Sequence, residues 1–185
     1  MRYGFALIVA LMLALTGCST SYDPNAPMAD VAEVRADEVE DWVDKVCAVM
    51  IDAGGPLRTK PAAASADLAA TKTNLVTYLT KGSEALGAAV KRFDEIGDGP
   101  APGSKRLVKD LKAAVGELKA AIDAAIGTAQ SADPADPAKF AETVMKAGTD
   151  LEAAVKAADL DVKMRAEFVD AQKKAPNCQK LDSLK

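Results

Sequence analysis

The sequence predicts an all-α protein, an antiparallel four-helix bundle with a short fifth C-terminal helix. Three observations lead there. Apolar residues recur at steps of three and four through several stretches of similar length, the spacing of one helix face. Alanine is abundant, aromatics make up 4% of the chain and β-branched runs are absent, which suits helices packed through small side chains. Clusters of Pro and Gly cut the periodic stretches apart with short connections, and short connections favour antiparallel neighbours.

In chain order, residues 1–18 come first. Arg2 is the only charge, Phe5 to Leu15 is an unbroken apolar run, and Gly17-Cys18 follows. The run is too short for a permanent membrane span of about 20 residues and has the layout of a secretory signal. The residues Leu15-Thr16-Gly17-Cys18 resemble the lipobox of bacterial lipoproteins: an aliphatic residue, a small or hydroxylated one, Gly or Ala, then Cys. The resemblance implies cleavage before Cys18 and a diacylglycerol on its sulfur. The alternative is a plain signal peptide with an incidental cysteine, or an uncleaved anchor. Ser19 is not the Asp that retains some lipoproteins at the inner membrane of two-membrane bacteria.

The organisation that follows is a signal peptide over residues 1–17, a flexible tether over 18–28 and a helical domain over 29–185. Pro24, Asn25 and Pro27 leave the tether without periodicity. Ten residues of it reach at most about 35 Å, so the domain would stay close to the membrane.

The first helix is expected from Asp30 to Ala53. Val39, Val43, Val46, Met50 and Ala53 form its apolar face, flanked by Trp42, Cys47 and Val49, and Gly54-Gly55-Pro56 reads as its stop. The second starts near Ser65 or Asp67 and runs to Ile96. Its seam is Leu68, Leu75, Leu79, Gly82, Leu86, Ala89, Phe93 and Ile96, interrupted by Lys72. About 30 residues make a helix of about 45 Å, and such a seam needs partners.

Gly97 to Gly103 is a break, and Ser104 is a fair N-cap for a third helix to about Ala129, with a seam of Val108, Leu111, Val115, Leu118, Ile122, Ala125 and Ala129. Asp136-Pro137 gives the fourth helix a cap and a proline at its first position. Its seam is Phe140, Val144, Ala147, Leu151, Ala154 and Ala158. Near Leu160 the register loosens, and a short fifth helix or a kinked continuation carries Met164, Phe168 and Ala171 to about Lys174. Pro176 ends it, leaving Cys178, Leu181 and Leu184 in a tail.

Three cysteines are present. If the lipobox resemblance assigns Cys18 to lipid, Cys47 and Cys178 remain as an even pair in an oxidising compartment. Their disulfide would tie the tail to the first helix; two separate buried thiols are the alternative. The Pro176-Asn177-Cys178-x-x-Leu181 ending and the alanine-rich domain resemble small envelope lipoproteins of actinobacteria, a likeness that implies no known activity.

The chain has no histidine and a net charge of −4, one unit more negative without Arg2. Nucleic acid is a poor partner for such a surface. Without histidine there is no Ser-His-Asp or Cys-His site, no zinc motif of the H-E-x-x-H type and no Glu-x-x-His di-iron set. No phosphate-binding glycine loop occurs. No catalytic residue, metal ligand or cofactor site is expected. The acidic group Asp37, Glu38, Glu40, Asp41 and Asp44 spreads over more than one helical face and reads as solvated surface. Lys105, Arg106, Lys109 and Lys112 form a basic patch for anionic headgroups, wall polymers or intramolecular pairing, for instance with the acidic first helix. Gly82, Gly87, Gly116, Gly127 and Gly148 lie inside helices, each costing about 1 kcal/mol relative to Ala. They mark either close helix approach or a crevice for an apolar ligand.

These residues lead to the expectation of a non-enzymatic lipoprotein at the extracytoplasmic face of the cell membrane, held by Cys18. It would bind another envelope protein or polymer, or serve as an accessory subunit. The alternative is a carrier or sensor of an apolar small molecule.

Overall fold

A computed structural model describes residues 35–59, 66–157 and 166–184. The lipobox with Cys18, the tether, residues 30–34 of the first expected helix, Ala158, Met164 and the change of register near Leu160 lie outside the described residues. Within them the chain forms six helices and no strand, as the three- and four-residue spacing requires. These are α1 (Ala36–Arg58), α2 (Leu68–Ile96), α3 (Ser104–Ser131), α4 (Pro137–Ala157), α5 (Ala166–Lys174) and α6 (Pro176–Asp182).

α1 runs through Gly54-Gly55-Pro56 instead of stopping there. Pro56 removes one helix N–H, a loss confined to the last turn. Long-range contacts hold that turn in place. The Tyr78 hydroxyl donates to the Leu57 carbonyl at 2.7 Å, satisfying one of the open carbonyls of the helix end. The Leu57 side chain sits over Gly82 of α2, where a Cβ would lie 2.3 Å from its Cδ2. Tertiary packing therefore overrides the local stop signal.

α2 starts as its sequence asks. Asp67 caps it by accepting from the Ala70 N–H at 3.0 Å, and Gly97, with φ of +73°, ends it. Lys72, which interrupts the seam, has a use: its Nζ donates to the Ala132 carbonyl at 2.8 Å, placing a cation at the C-terminal end of α3. α3 departs from expectation at its start. Gly103, with φ of +90°, occupies the cap position, and Ser104 lies in the helix, fully buried. α4 begins with the Asp136 carboxylate accepting from the Lys139 N–H at 3.2 Å. Beyond α5, Pro176 opens a further short helix where a tail was expected.

α1 packs on α2, α2 on α3 and α3 on α4, while α5 and α6 both lie against α1. Asp52 of α1 pairs with Arg92 of α2, and Leu57 meets Tyr78. Between α2 and α3, Asp94 pairs with Lys112, Ser83 with Asp123 and Lys72 with Ala132. In these two pairs, α1–α2 and α2–α3, one number falls as the other rises. The expected seams point inward: every seam residue named for α3 is buried, and Val43, Phe93 and Phe168 are completely so. Each large side chain buried this way contributes roughly 1.5–3 kcal/mol. Among the described residues no helix is long and apolar enough to cross a membrane.

Candidate functional site

The chemistry-bearing residues converge where α6 meets α1. Cys47 faces inward from α1 and Cys178 from α6, and the two form a disulfide with Cα atoms 5.0 Å apart, 131 residues apart in sequence. Cys47 is 2% exposed and Cys178 1%, so the bond is inside the protein and not at the edge of an apolar face. Neither sulfur presents itself as a nucleophile.

One turn before Cys47, Asp44 turns its carboxylate to α6. One oxygen accepts from the Asn177 backbone N–H at 2.7 Å and the other from the Asn177 side-chain amide at 2.6 Å. The α6 cap residue, Ala175, has no side chain able to do this, so α1 supplies the cap from outside. Ala175 is fully buried and its N–H donates to the Ala171 carbonyl at 2.9 Å, which joins the end of α5 to the start of α6. Asp44 is thus not part of a solvated acidic face. Its signal in the sequence is its position: three residues before Cys47, with Asn177 directly before Cys178.

Two residues before Asp44 on α1, the Trp42 ring packs on Phe168 of α5 with centroids 5.7 Å apart, a tilted aromatic pair. The loop after α2 closes over Trp42. Gly99 has φ of +71°, and a Cβ there would lie 2.4 Å from Trp42 Cε2 and 2.7 Å from the Ser104 Cβ, so no larger residue fits without displacing them. Among the described residues the Trp42 indole N–H and the Ser104 hydroxyl are the buried side-chain polar groups without a hydrogen-bond partner.

The basic patch is largely neutralised, though not by α1. Lys105 pairs with Asp98 at 3.2 Å, Arg106 with Asp110 at 3.7 Å and Lys112 with Asp94. Lys109 stands beside them along an open groove of about 290 Å³ floored by Phe93 and Val108. Of the acidic group, Asp37 pairs with Arg35 at 2.5 Å, both exposed. Among the described residues no set of three or more acidic or cysteine side chains is placed to hold a metal ion.

Three titrating groups among the described residues are held away from their ordinary range. The Lys139 backbone N–H, and then the Lys139 side chain, keep the Asp136 carboxyl below the usual carboxylate value at the start of α4. Hydrogen bonds from Lys119, and then from Ser83, keep the Asp123 carboxyl below the usual carboxylate value. Burial pushes the Tyr78 phenol up. Tyr78 joins α2 to α1, and Asp123 joins α3 to α2 through Ser83 while pairing with Lys119 along its own helix.

The glycines divide into two kinds. Gly82 is filled by Leu57, and Gly87 is covered by the aliphatic stem of Lys119, whose Cε would lie 3.3 Å from a Cβ. Gly116, Gly127 and Gly148 face open space. Comparison of the chain with protein-family models, curated proteins and solved structures finds no match.

Proposed function

We propose that this chain is a lipid-anchored, extracytoplasmic lipoprotein whose helical domain works by binding another component of the cell envelope, without catalysis of its own. The observation that carries the proposal is the buried Cys47–Cys178 disulfide. A closed disulfide fits an oxidising compartment. It also leaves Cys18 as the odd cysteine, at the end of a signal-like apolar segment and in a lipobox-like run. Two or more acyl chains, at about 0.8 kcal/mol per buried methylene, hold a protein stably at a bilayer. The signal over residues 1–17 and the tether over 18–28 belong to the same reading.

The domain arrangement consistent with this role is an antiparallel four-helix bundle of α1 to α4, with α5 and α6 strapped along α1. The opposed order of the α1–α2 and α2–α3 pairs supports it. A binding role rather than an enzymatic one is supported by the lack of histidine and by the pairing of the charged side chains among themselves. The apolar-carrier alternative draws no support from Gly82, because Leu57 occupies the place of the missing side chain.

The test is metabolic labelling with a fatty acid, followed by fractionation of wild type and Cys18→Ala. The wild type takes up label and sediments with membranes; Cys18→Ala takes up none and is released. Label retained in Cys18→Ala would contradict the anchor. Crosslinking in intact cells then identifies the partner, and the return of neither protein nor glycan would count against the binding role.

A further inference from the structure

The two hydrogen bonds from Asn177 to Asp44 sit one helical turn from Cys47 along α1 and one residue from Cys178 along α6. We propose that Asp44 is a positioning residue for disulfide formation: by gripping Asn177 it sets the Cys178 thiol beside Cys47 before the sulfur–sulfur bond exists.

α5 and α6 have nine and seven residues, too short to persist as isolated helices, so they need a docking contact. The disulfide cannot be the contact that first docks α6, because it forms only after the sulfurs have met. Asp44 can be, since each carboxylate oxygen takes one donor of Asn177 and the pair fixes orientation as well as distance. Phe168 and Ala175, both fully buried, seat the preceding segment. Cys178 Sγ lies 3.6 Å from the Val43 carbonyl oxygen, so the thiol of the reduced chain has an acceptor in place. Asp44 and Cys47, three residues apart on α1, share a face.

The chemistry is ordinary exchange with a disulfide oxidant. One thiolate attacks the oxidant disulfide and expels one of its thiolates; the second attacks the mixed disulfide and expels the other. The protein gives up two electrons and the oxidant leaves as two thiols. Both sulfurs are covered in the folded protein, so one must be uncovered for the first exchange, and docking of α6 on Asp44 delivers the other. The grip raises the effective concentration of the Cys47–Cys178 pair against any other pairing, including those with Cys18 before it is modified.

The test uses the full chain with all three cysteines in buffers of reduced and oxidised glutathione, quenched by alkylation and read by mass spectrometry. Asp44→Ala lowers the effective concentration of the Cys47–Cys178 pair about tenfold, equivalent to about 1.4 kcal/mol of docking. It also raises the share of disulfides containing Cys18. Asn177→Ala, which keeps the backbone donor, gives a smaller fall in the same direction and remains readable if Asp44→Ala does not fold. Asp123→Ala, which breaks the Ser83 hydrogen bond between α2 and α3 and the Lys119 pair within α3 instead, leaves the value within about twofold of wild type despite lowering stability. An unchanged value in both Asp44→Ala and Asn177→Ala, or an equal fall in Asp123→Ala, overturns the proposal.

Discussion

The Asp44 carboxylate receives both the backbone and the side-chain amide of Asn177, at 2.7 and 2.6 Å, across 133 residues of sequence. It places a charge-assisted contact beside a covalent one, so the last described helix is held to the first by both. Everything between, from α2 to α5, is enclosed by that closure.

The covalent half predicts a large effect on stability. A loop of about 130 residues closed by a disulfide is worth roughly 5 kcal/mol in the chain-entropy treatment. Cys47→Ser and Cys178→Ser therefore lower the urea midpoint substantially. The slope of the transition rises as well, because the unfolded chain without the crosslink expands further. Equal midpoints for wild type and both variants would show that the bond constrains little.

The glycines give a prediction of opposite signs. Gly148 is exposed in α4, and a Cβ added there would meet nothing within 4 Å, so Gly148→Ala gains about 0.5–1 kcal/mol from helix propensity. Gly82→Ala must displace Leu57, and overpacking costs about 1–3 kcal/mol, more than the propensity gain. Thermal melts of the two variants should shift in opposite directions.

The helices are readable in the sequence because their seams are strongly periodic and because Asp67 and Asp136 are capping residues with free backbone donors ahead of them. The extension of α1 past Gly54-Gly55-Pro56 is not, because what holds it is Leu57 over Gly82 and under the Tyr78 hydroxyl, contacts made across more than 20 residues. The displacement of the α3 cap from Ser104 to Gly103 has a similar cause: Ser104 is enclosed against Gly99 at the bundle end near Trp42. Lys72 looks like an interruption of a seam and is a cap on another helix. The pairing of Cys47 with Cys178 is reached from the sequence once the lipobox resemblance sets Cys18 aside, whereas the Asp44–Asn177 contact beside it needs the docked position of α6.

Asp123 gives a pH dependence. Its folded carboxyl titrates below the unfolded value of about 3.9, so the unfolded chain binds more protons in that window. The stabilisation from Lys119 and Ser83 is fully present above the unfolded value and is lost as pH falls through the folded one. Asp123 is partly exposed, so the effect is reduced by solvent screening. The stability difference between wild type and Asp123→Asn should be greatest above about pH 5 and shrink on acidification. A difference constant with pH would remove the carboxylate from the account.

Intact-mass and peptide-mapping mass spectrometry of the protein taken from native membranes tests the central claim most directly. The account predicts a chain beginning at Cys18, heavier than its sequence by a diacylglyceryl group, with Cys47 and Cys178 recovered as one disulfide-linked peptide pair. An unmodified Cys18, or a disulfide joining Cys18 to either of the other two, would contradict it.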